Sequence, residues 1–145
     1  WAFPADWSVA KWDGKKLGKK VEKLEKIALG AAEQSKRNHV PSITLFEKKA
    51  NFLAQFDQFD RIVVAYEESA KEGESAALIQ VVAGLEKGAK LLFIFGPEGG
   101  LSPAEIESFE AKGAILAGLG PRILRAETAP LYALSAISVL LELKK

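Results

Sequence analysis

The chain has 145 residues, of which 48% are hydrophobic and 27% charged, and its formal net charge is +1. This composition indicates one globular domain spanning residues 1–145 rather than a disordered chain. No apolar stretch reaches the roughly 18 residues that a membrane span needs. Because the sequence contains no cysteine, it has no disulfide, thiolate metal site or catalytic thiol, and a cytoplasmic location is the default expectation.

The charge is distributed unevenly along the chain. Residues 1–40 contain nine Lys/Arg against five Asp/Glu, a net +4, whereas residues 41–145 contain eleven against fourteen, a net −3. A basic N-terminal region is typical of phosphate binding, although a solvated basic helix explains it equally well. The chain starts at Trp1 and contains no methionine, so we expect a segment upstream of it to be missing.

The first third of the chain predicts helices joined by polar connectors. After a polar connector over Lys11–Lys20, apolar residues recur every three or four positions and predict a helix from about Lys19 to Lys36. Pro41 ends it, because the residue before a proline disfavours the helical region. Ser42–Phe46 is a short strand or an extended connector, and Glu47–Gln58 is a predicted helix.

The middle of the chain contains two predicted buried strands. Arg61–Tyr66 is a β-branched run, short enough for a parallel strand, and Leu91–Phe95 is a continuous apolar run. Between them, an acidic loop over Glu67–Glu74 and a helical or irregular crossing through Ala83 are predicted.

The last third begins with a strong helix-start signal. Ser102 is the predicted N-cap, Pro103 occupies the first helical position and Glu105 completes a capping box. This helix is expected to end at Lys112. A short strand follows over Ala114–Ala117. The last helix is predicted over Thr128–Leu141, with a buried side made of Leu131, Leu134, Ile137 (or Ser138) and Leu141. The alternation of strands and helices predicts an α/β fold, a mostly parallel sheet with helices on both faces.

Two glycine-bearing loops follow the last two predicted strands. The first contains Phe95-Gly96-Pro97-Glu98-Gly99-Gly100, and the second runs from Gly118 to Ala129. Loops at the same end of a parallel sheet form ligand sites in open α/β folds, and glycine lets backbone groups approach a flat ligand closely. The alternative is two ordinary turns that precede capped helices.

Several kinds of chemistry are excluded by these loops. No lysine follows Gly99-Gly100, as a P-loop requires, and the Rossmann spacing of three glycines is absent. The only histidine is His39, so neither a metal site nor a serine-hydrolase triad is expected. A cofactor whose adenine is held by backbone groups remains, with arginines nearby for an anionic or polar partner.

Two of these segments closely resemble the RsmE family, the bacterial methyltransferases that modify uracil N3 in small-subunit ribosomal RNA. They are Gly96-Pro97-Glu98-Gly99-Gly100-Leu101-Ser102 and Leu119-Gly120-Pro121-Arg122-Ile123-Leu124-Arg125-Ala126-Glu127-Thr128-Ala129. The segment Glu33–Pro41 is also similar to that family, and the resemblance covers about Asp6–Leu141. It implies the SPOUT fold, an α/β-knot whose C-terminal segment forms a trefoil knot that binds S-adenosylmethionine.

The resemblance assigns roles to residues of this chain. Arg125 is expected to contact substrate or RNA phosphate, and Glu127 to act as the base. Lys36, Arg37 and Arg122 are the expected RNA contacts, and no metal is expected. The residues implied to bind the cofactor are Phe95, Gly96, Pro97, Glu98, Gly99, Gly100, Leu119, Gly120, Ile123, Leu124, Thr128 and Ala129. Two structural alternatives stay open: Arg122 pairs with Glu98 or Glu127, and Thr128 only caps the last helix.

The implied partners are ribosomal RNA or the small ribosomal subunit, and a second copy of the chain in a homodimer. From the resemblance we expect this sequence to lack the family's N-terminal β-barrel and the first strand and helix of the methyltransferase domain. Ala126 stands where a threonine is expected. The rival functions are a SPOUT enzyme that acts on another RNA atom, such as a ribose hydroxyl, and a non-catalytic RNA-binding or dimerisation module.

Overall fold

The computed structural model describes residues 1–11, 13–67 and 76–143. The chain divides into two compact units. The first comprises residues 1–4 and 9–52, and the second comprises residues 5–8 and 53–145. The first unit contains one long helix and a cluster of aromatic rings, and the second contains the parallel sheet.

The long helix of the first unit, α1 (Gly14–Gln34), starts earlier than predicted. The Asp13 side chain caps it by accepting a hydrogen bond from the Lys15 backbone N–H at 3.1 Å, so residues 14–20 are helical rather than a connector. The predicted apolar face is confirmed in part. Val21, Leu24 and Ala28 are half-buried and Ala32 is buried, whereas Ile27 is 58% exposed.

The C-terminus of α1 ends in a Schellman motif without glycine. The Arg37 N–H donates to the Ala32 carbonyl at 2.9 Å, and the Lys36 N–H donates to the Glu33 carbonyl at 3.1 Å. Lys36 therefore takes the left-handed conformation, with φ of 55°, which costs a non-glycine residue about 1 kcal/mol. The motif leaves the Lys36 and Arg37 side chains exposed at the end of the helix.

Aromatic packing divides the predicted helix Glu47–Gln58. Phe52, in α2 (Lys49–Leu53), stacks on Phe3 with ring centroids 4.3 Å apart, in the first unit. Phe56 begins a 3₁₀ turn (Phe56–Gln58) and packs on Phe109 at 5.6 Å, in the second unit. The single predicted helix is wrong, because α2 ends at Leu53 and a separate 3₁₀ turn begins at Phe56. Ser42–Phe46 is extended and contributes one parallel bridge, Ala2 with Leu45.

The second unit is built on a three-stranded parallel sheet. Its strands are β1 (Arg61–Ala65), β2 (Leu91–Ile94) and β3 (Ile115–Ala117), in the order β2-β1-β3. Each predicted strand is confirmed and is one residue shorter than expected. The central strand is buried over its middle three residues, as a strand covered on both sides must be.

Three helices complete this unit: α3 (Ala76–Ala83), α4 (Pro103–Ala111) and α5 (Ala129–Ser138). The chain crosses from β1 to β2 through α3, and then from β2 past β1 to β3 through α4. Right-handed crossovers in opposite directions place α3 and α4 on opposite faces of the sheet. The predicted α/β class is therefore confirmed. Apart from Glu67, the predicted acidic loop over 67–74 lies outside the described residues.

Of the side of α5 that was predicted to be buried, only Ile137 packs on the core. Its core residues are Ala133, which is fully buried, and Ala136 and Ile137, which pack on the cluster of Val63, Leu78, Val81, Val82 and Ala117. Leu131 and Leu134 are 66% and 63% exposed, and Leu141 in the following π-helical turn (Val139–Leu143) is also exposed. Both sides of the helix are apolar, so periodicity alone could not select the one that meets the sheet.

No helix among the described residues is both long enough and apolar enough to cross a membrane. The C-terminal trefoil knot implied by the resemblance stays a prediction.

Candidate functional site

A cavity of about 950 Å³ lies among the loops that follow the three strands. The lining comprises residues 65–67 at the carboxyl end of β1, residues 95–101 after β2, and residues 119, 120, 122–127 and 129 after β3. Neighbouring strands β1 and β2 lead to helices on opposite faces, and such a switch point opens a crevice at the carboxyl ends of the strands. The volume is within the usual range for a small-molecule or cofactor pocket.

The first glycine loop is a tight turn that tolerates little added bulk. The Gly100 N–H donates to the Pro97 carbonyl at 2.8 Å, and Gly100 has a φ of 80°. A Cβ on Gly96 would lie 3.0 Å from Leu101 Cγ and 3.2 Å from both Leu101 N and Gly100 C. The close return of the chain on itself thus requires glycine at position 96, and the left-handed φ favours glycine at position 100.

The second glycine loop winds directly into α5. Gly120 has a φ of 95°, and the Arg125 carbonyl accepts the N–H groups of both Thr128 and Ala129 at 2.9 Å. Thr128 already has helical dihedral angles, and its side chain makes no capping hydrogen bond. The alternative that Thr128 caps the last helix is therefore wrong.

The predicted capping box of α4 is confirmed and holds the exit of the first loop. The Glu105 N–H donates to the Ser102 hydroxyl at 3.2 Å, and the Ser102 N–H donates to the Glu105 carboxylate at 2.9 Å. The same two side chains bind Asp6: its N–H donates to Glu105 at 2.9 Å, and its carboxylate accepts from the Ser102 hydroxyl. Glu105 is only 1% exposed, so the short segment 5–8 is anchored beside the cavity.

The structure brings most of the predicted site residues to this cavity. Arg122, Arg125 and Glu127 line it, as do all the residues predicted to bind the cofactor except Thr128. Lys36 and Arg37 belong to the first unit and do not line it. The lining residues that sequence analysis did not select are Trp7, Ala65, Tyr66, Glu67, Leu101, Pro103 and Ala126. Residues 65–67 were detectable in principle, since they lie at the carboxyl end of a predicted strand.

The cavity combines charges of both signs with exposed backbone. Its carboxylates belong to Glu67, Glu98 and Glu127, and its guanidinium groups belong to Arg122 and Arg125. Within the described part of the chain, Arg122 forms no ion pair with Glu98 or Glu127, contrary to the alternative in which such a pair only holds the loops. The arginines are exposed and are thus placed to meet an anionic ligand or developing negative charge.

A parallel α/β unit with glycine loops around a pocket at its carboxyl edge belongs to the class of α/β ligand-binding domains. Comparison with known proteins identifies the family. The RNA methyltransferase domain matches residues 1–138, and the chain belongs to that family. It is 53% identical over 141 residues to ribosomal RNA small subunit methyltransferase E of Bacillus subtilis, a match that covers 97% of the chain and 55% of the relative.

Solved structures agree with the family assignment. The crystal structure of a hypothetical protein matches with a TM-score of 0.89 and 49% identity, and the match covers 99% of this chain and 55% of that one. A Legionella pneumophila protein assigned as a methyltransferase, in complex with the bound cofactor SAM, matches with a TM-score of 0.72 and 26% identity over 94% of this chain and 53% of that one. The chain thus spans about half the length of the relatives it matches.

Proposed function

We propose that the chain binds S-adenosylmethionine and methylates the N3 atom of a uridine in small-subunit ribosomal RNA. The observation that carries this proposal is the single cavity where both glycine loops meet Arg125 and Glu127. Family membership supports RNA as the substrate class. The name of the Bacillus subtilis relative supports ribosomal RNA of the small subunit, and the Legionella structure supports the cofactor.

The residues around the cavity fit this cofactor. A side chain at Gly96 would be too close to the neighbouring residues, and the positive φ angles of Gly100 and Gly120 disfavour any residue with a side chain. The peptide groups of both loops therefore line the cavity directly. Backbone donors and acceptors suit the edge of an adenine ring, and the apolar side chains of Phe95 and Leu119 suit its faces. When bound, the cofactor supplies an electrophilic methyl group on a sulfonium centre.

Two charged side chains supply the remaining chemistry. Uracil N3 carries a weakly acidic proton, which Glu127 would accept. Loss of this proton places negative charge on N3, O2 and O4, where the Arg125 guanidinium would stabilise it until N3 takes up the methyl group and the ring becomes neutral. Arg122, on the same loop, is the candidate for a neighbouring RNA phosphate.

Helix α1 offers an electrostatic surface for RNA in the first unit. At 100° per residue, its lysines fall within a sector of about 140° opposite the buried face. We call this surface the lysine face: it consists of Lys15, Lys16, Lys19, Lys20, Lys23 and Lys26, all of them exposed. Lys36 and Arg37, just beyond the C-terminus of the same helix, are also exposed. Clustered cations of this kind bind the RNA backbone through release of counterions.

The same proposal includes a homodimer in the cytoplasm, where ribosomal subunits are made. The exposed side of α5 provides an apolar surface for a second copy, with Leu131, Tyr132 and Leu134 each at least 42% exposed. Scattered apolar residues need no explanation, but a contiguous helical face of this kind is typical of an interface.

The experiment that tests the function supplies labelled S-adenosylmethionine and unmodified small subunits, followed by nucleoside mass spectrometry. We expect label in 3-methyluridine. Label in a 2′-O-methyl nucleoside would identify an enzyme acting on ribose, and cofactor binding without transfer would identify a non-catalytic module. Either result would contradict the proposal.

A further inference from the structure

A tryptophan lies at the edge of the cavity on a β-turn far from both glycine loops in sequence. The Ser8 N–H donates to the Ala5 carbonyl at 3.1 Å, which closes the turn and places Asp6 and Trp7 at its corner. Trp7 lines the cavity and is 51% exposed. A large aromatic residue at the edge of the cavity is therefore half accessible to solvent, and its exposed surface is available to a ligand ring.

The turn is held to the framework of the cavity by polar contacts. Both the N–H and the carboxylate of Asp6 bind the capping box of α4, through Glu105 and Ser102. A Cβ on Gly99 would lie 3.2 Å from the Trp7 carbonyl oxygen and 3.3 Å from the Trp7 Cβ. The backbone of Trp7 thus packs directly against the first glycine loop, and its position is tied to that loop.

We propose that Trp7 stacks on the uracil ring that receives the methyl group, and that Asp6 is the positioning residue that holds Trp7 in place. This inference rests on the proposed function. It assigns a contact to the substrate base, whereas Arg125 and Glu127 act on the atoms at its edge. A base that reacts inside a protein pocket leaves its neighbours in the RNA strand and needs an aromatic surface to replace them.

Stacking meets a geometric demand of methylation at N3. After deprotonation, the reactive lone pair of N3 lies in the plane of the ring, so the ring must present its edge to the methyl group. An indole against the ring face fixes the tilt of this plane, and a guanidinium at O2 or O4 fixes rotation within it. Trp7 and Arg125 both line the cavity, and they would together orient the base.

The alternative partner for Trp7 is the adenine of the cofactor. The exposure of the indole favours the base, since the RNA arrives from solvent. Gly99, which packs on Trp7, is itself exposed, in contrast to the half-buried Gly96 and Gly120. The turn is therefore at the outer rim of the first loop. A cavity of about 950 Å³ is near the upper end of the range for one ligand of cofactor size and leaves space for a base beside it.

The test compares Trp7→Leu with Trp7→Phe in methyl transfer to two RNA substrates. One contains uridine at the target position and the other contains 5,6-dihydrouridine, which keeps N3–H, O2 and O4 but has a puckered ring. Base stacking on an aromatic side chain corresponds to roughly a 5- to 100-fold effect. We expect Trp7→Leu to raise the KM for the uridine RNA within this range and to abolish the preference for uridine over dihydrouridine as measured by KM. Trp7→Phe should retain most of that preference.

The matched control is Trp1→Leu, because Trp1 is 45% exposed and does not line the cavity. It should leave both KM values unchanged. Calorimetry should give the same S-adenosylmethionine affinity for Trp7→Leu and the parent chain, within about twofold. A loss of cofactor affinity equal to the rise in KM would overturn the inference in favour of adenine, and an unchanged KM would overturn it outright.

A second measurement separates this inference from the proposed function. In a Trp1→Phe, Trp12→Phe background, Trp7 is the only tryptophan, and a stacked uracil should quench its fluorescence when uridine RNA is added with S-adenosylhomocysteine. An otherwise identical strand with an abasic target position should not. If the parent chain binds cofactor but transfers no methyl group, the proposed function is wrong. Selective quenching by the uridine RNA would still support stacking on Trp7, and the absence of quenching would refute the stacking.

The role of Asp6 is tested in the same assays. Asp6→Ala removes the acceptor for the Ser102 hydroxyl and should reduce the preference for uridine, although Asp6 itself does not touch the base. Asp6→Asn keeps an oxygen acceptor and should restore it. If Asp6→Ala and Asp6→Asn showed the same preference for uridine over dihydrouridine, the positioning role of Asp6 would be wrong.

Discussion

The contact around Gly96 allows a quantitative test of the first glycine loop. In the variant Gly96→Ala, the new methyl group would lie 3.0 Å from Leu101 Cγ and 3.2 Å from two backbone atoms, Gly100 C and Leu101 N. Carbon atoms pack at about 3.5–4.0 Å, so the neighbouring atoms of the loop must move by a few tenths of an ångström. Overpacking of this size destabilises a protein by about 1–3 kcal/mol.

The same displacement acts on the cofactor site, because residues 95–101 line the cavity. A loss of about 1.4 kcal/mol in binding free energy corresponds to a tenfold weaker affinity. We therefore expect Gly96→Ala to bind S-adenosylmethionine at least about tenfold more weakly by calorimetry. Urea denaturation should show a free energy of unfolding about 1–3 kcal/mol lower than that of the parent chain.

Two other glycines serve as controls for this measurement. A Cβ on Gly100 would meet nothing within 4 Å, but the φ of 80° makes Gly100→Ala cost about 1–2 kcal/mol in backbone strain alone. Gly18 lies inside α1 with open space around it, so Gly18→Ala should raise the free energy of unfolding by about 0.5–1 kcal/mol. If Gly96→Ala matched Gly18→Ala in both stability and cofactor affinity, the proposed tight return of the loop would be wrong.

Four further outcomes are expected. Glu127→Gln should lower kcat for methyl transfer by about 10²–10⁴-fold with the calorimetric cofactor affinity intact, and full activity would exclude Glu127 as the base. The double variant Lys16→Glu, Lys23→Glu on the lysine face should weaken RNA binding and reduce the slope of log K against log salt; an unchanged slope in filter binding would remove α1 from the interface. Lys36→Gly should raise the free energy of unfolding by about 0.5–1 kcal/mol by relieving the left-handed φ of 55° while weakening RNA binding, and lower stability in urea would contradict the strain argument. Leu134→Asp should convert a dimer into a monomer in light scattering, whereas a monomeric parent at all concentrations would refute the dimer.

Local signals in the sequence were sufficient for much of the fold. The three β-branched or apolar runs became the three strands, because a strand buried on both sides reads as a continuous hydrophobic segment. The capping box at Ser102 and Glu105 also formed as expected, since all its partners lie within four residues. The glycine loops were recognisable for a similar reason, because a tight turn favours glycine at the positions where the backbone has a positive φ or lies close to another segment.

Other features depended on contacts between distant parts of the chain. The predicted helix Glu47–Gln58 is interrupted after Leu53, and Phe52 and Phe56 pack on rings that are distant in sequence, Phe3 and Phe109. Helix α5 turns Ala133 and Ile137 to the sheet and leaves Leu134 exposed, although leucine is the more hydrophobic choice over alanine. Which side of the helix meets the cluster around Val63 is decided only in the folded protein, where Ala136 and Ile137 pack on it.

The sequence by itself determined the α/β class, the strands, the helix cap and the two loops that border the cavity, because each of these depends on residues close together in the chain. Only the tertiary structure decided which residues share the cavity with them. Asp6 and Ser102 are 96 positions apart, and their hydrogen bond places Trp7 beside Gly99. Periodicity and motif spacing describe neighbours along the chain, whereas the composition of this site depends on which turns and loops meet at one edge of a folded sheet.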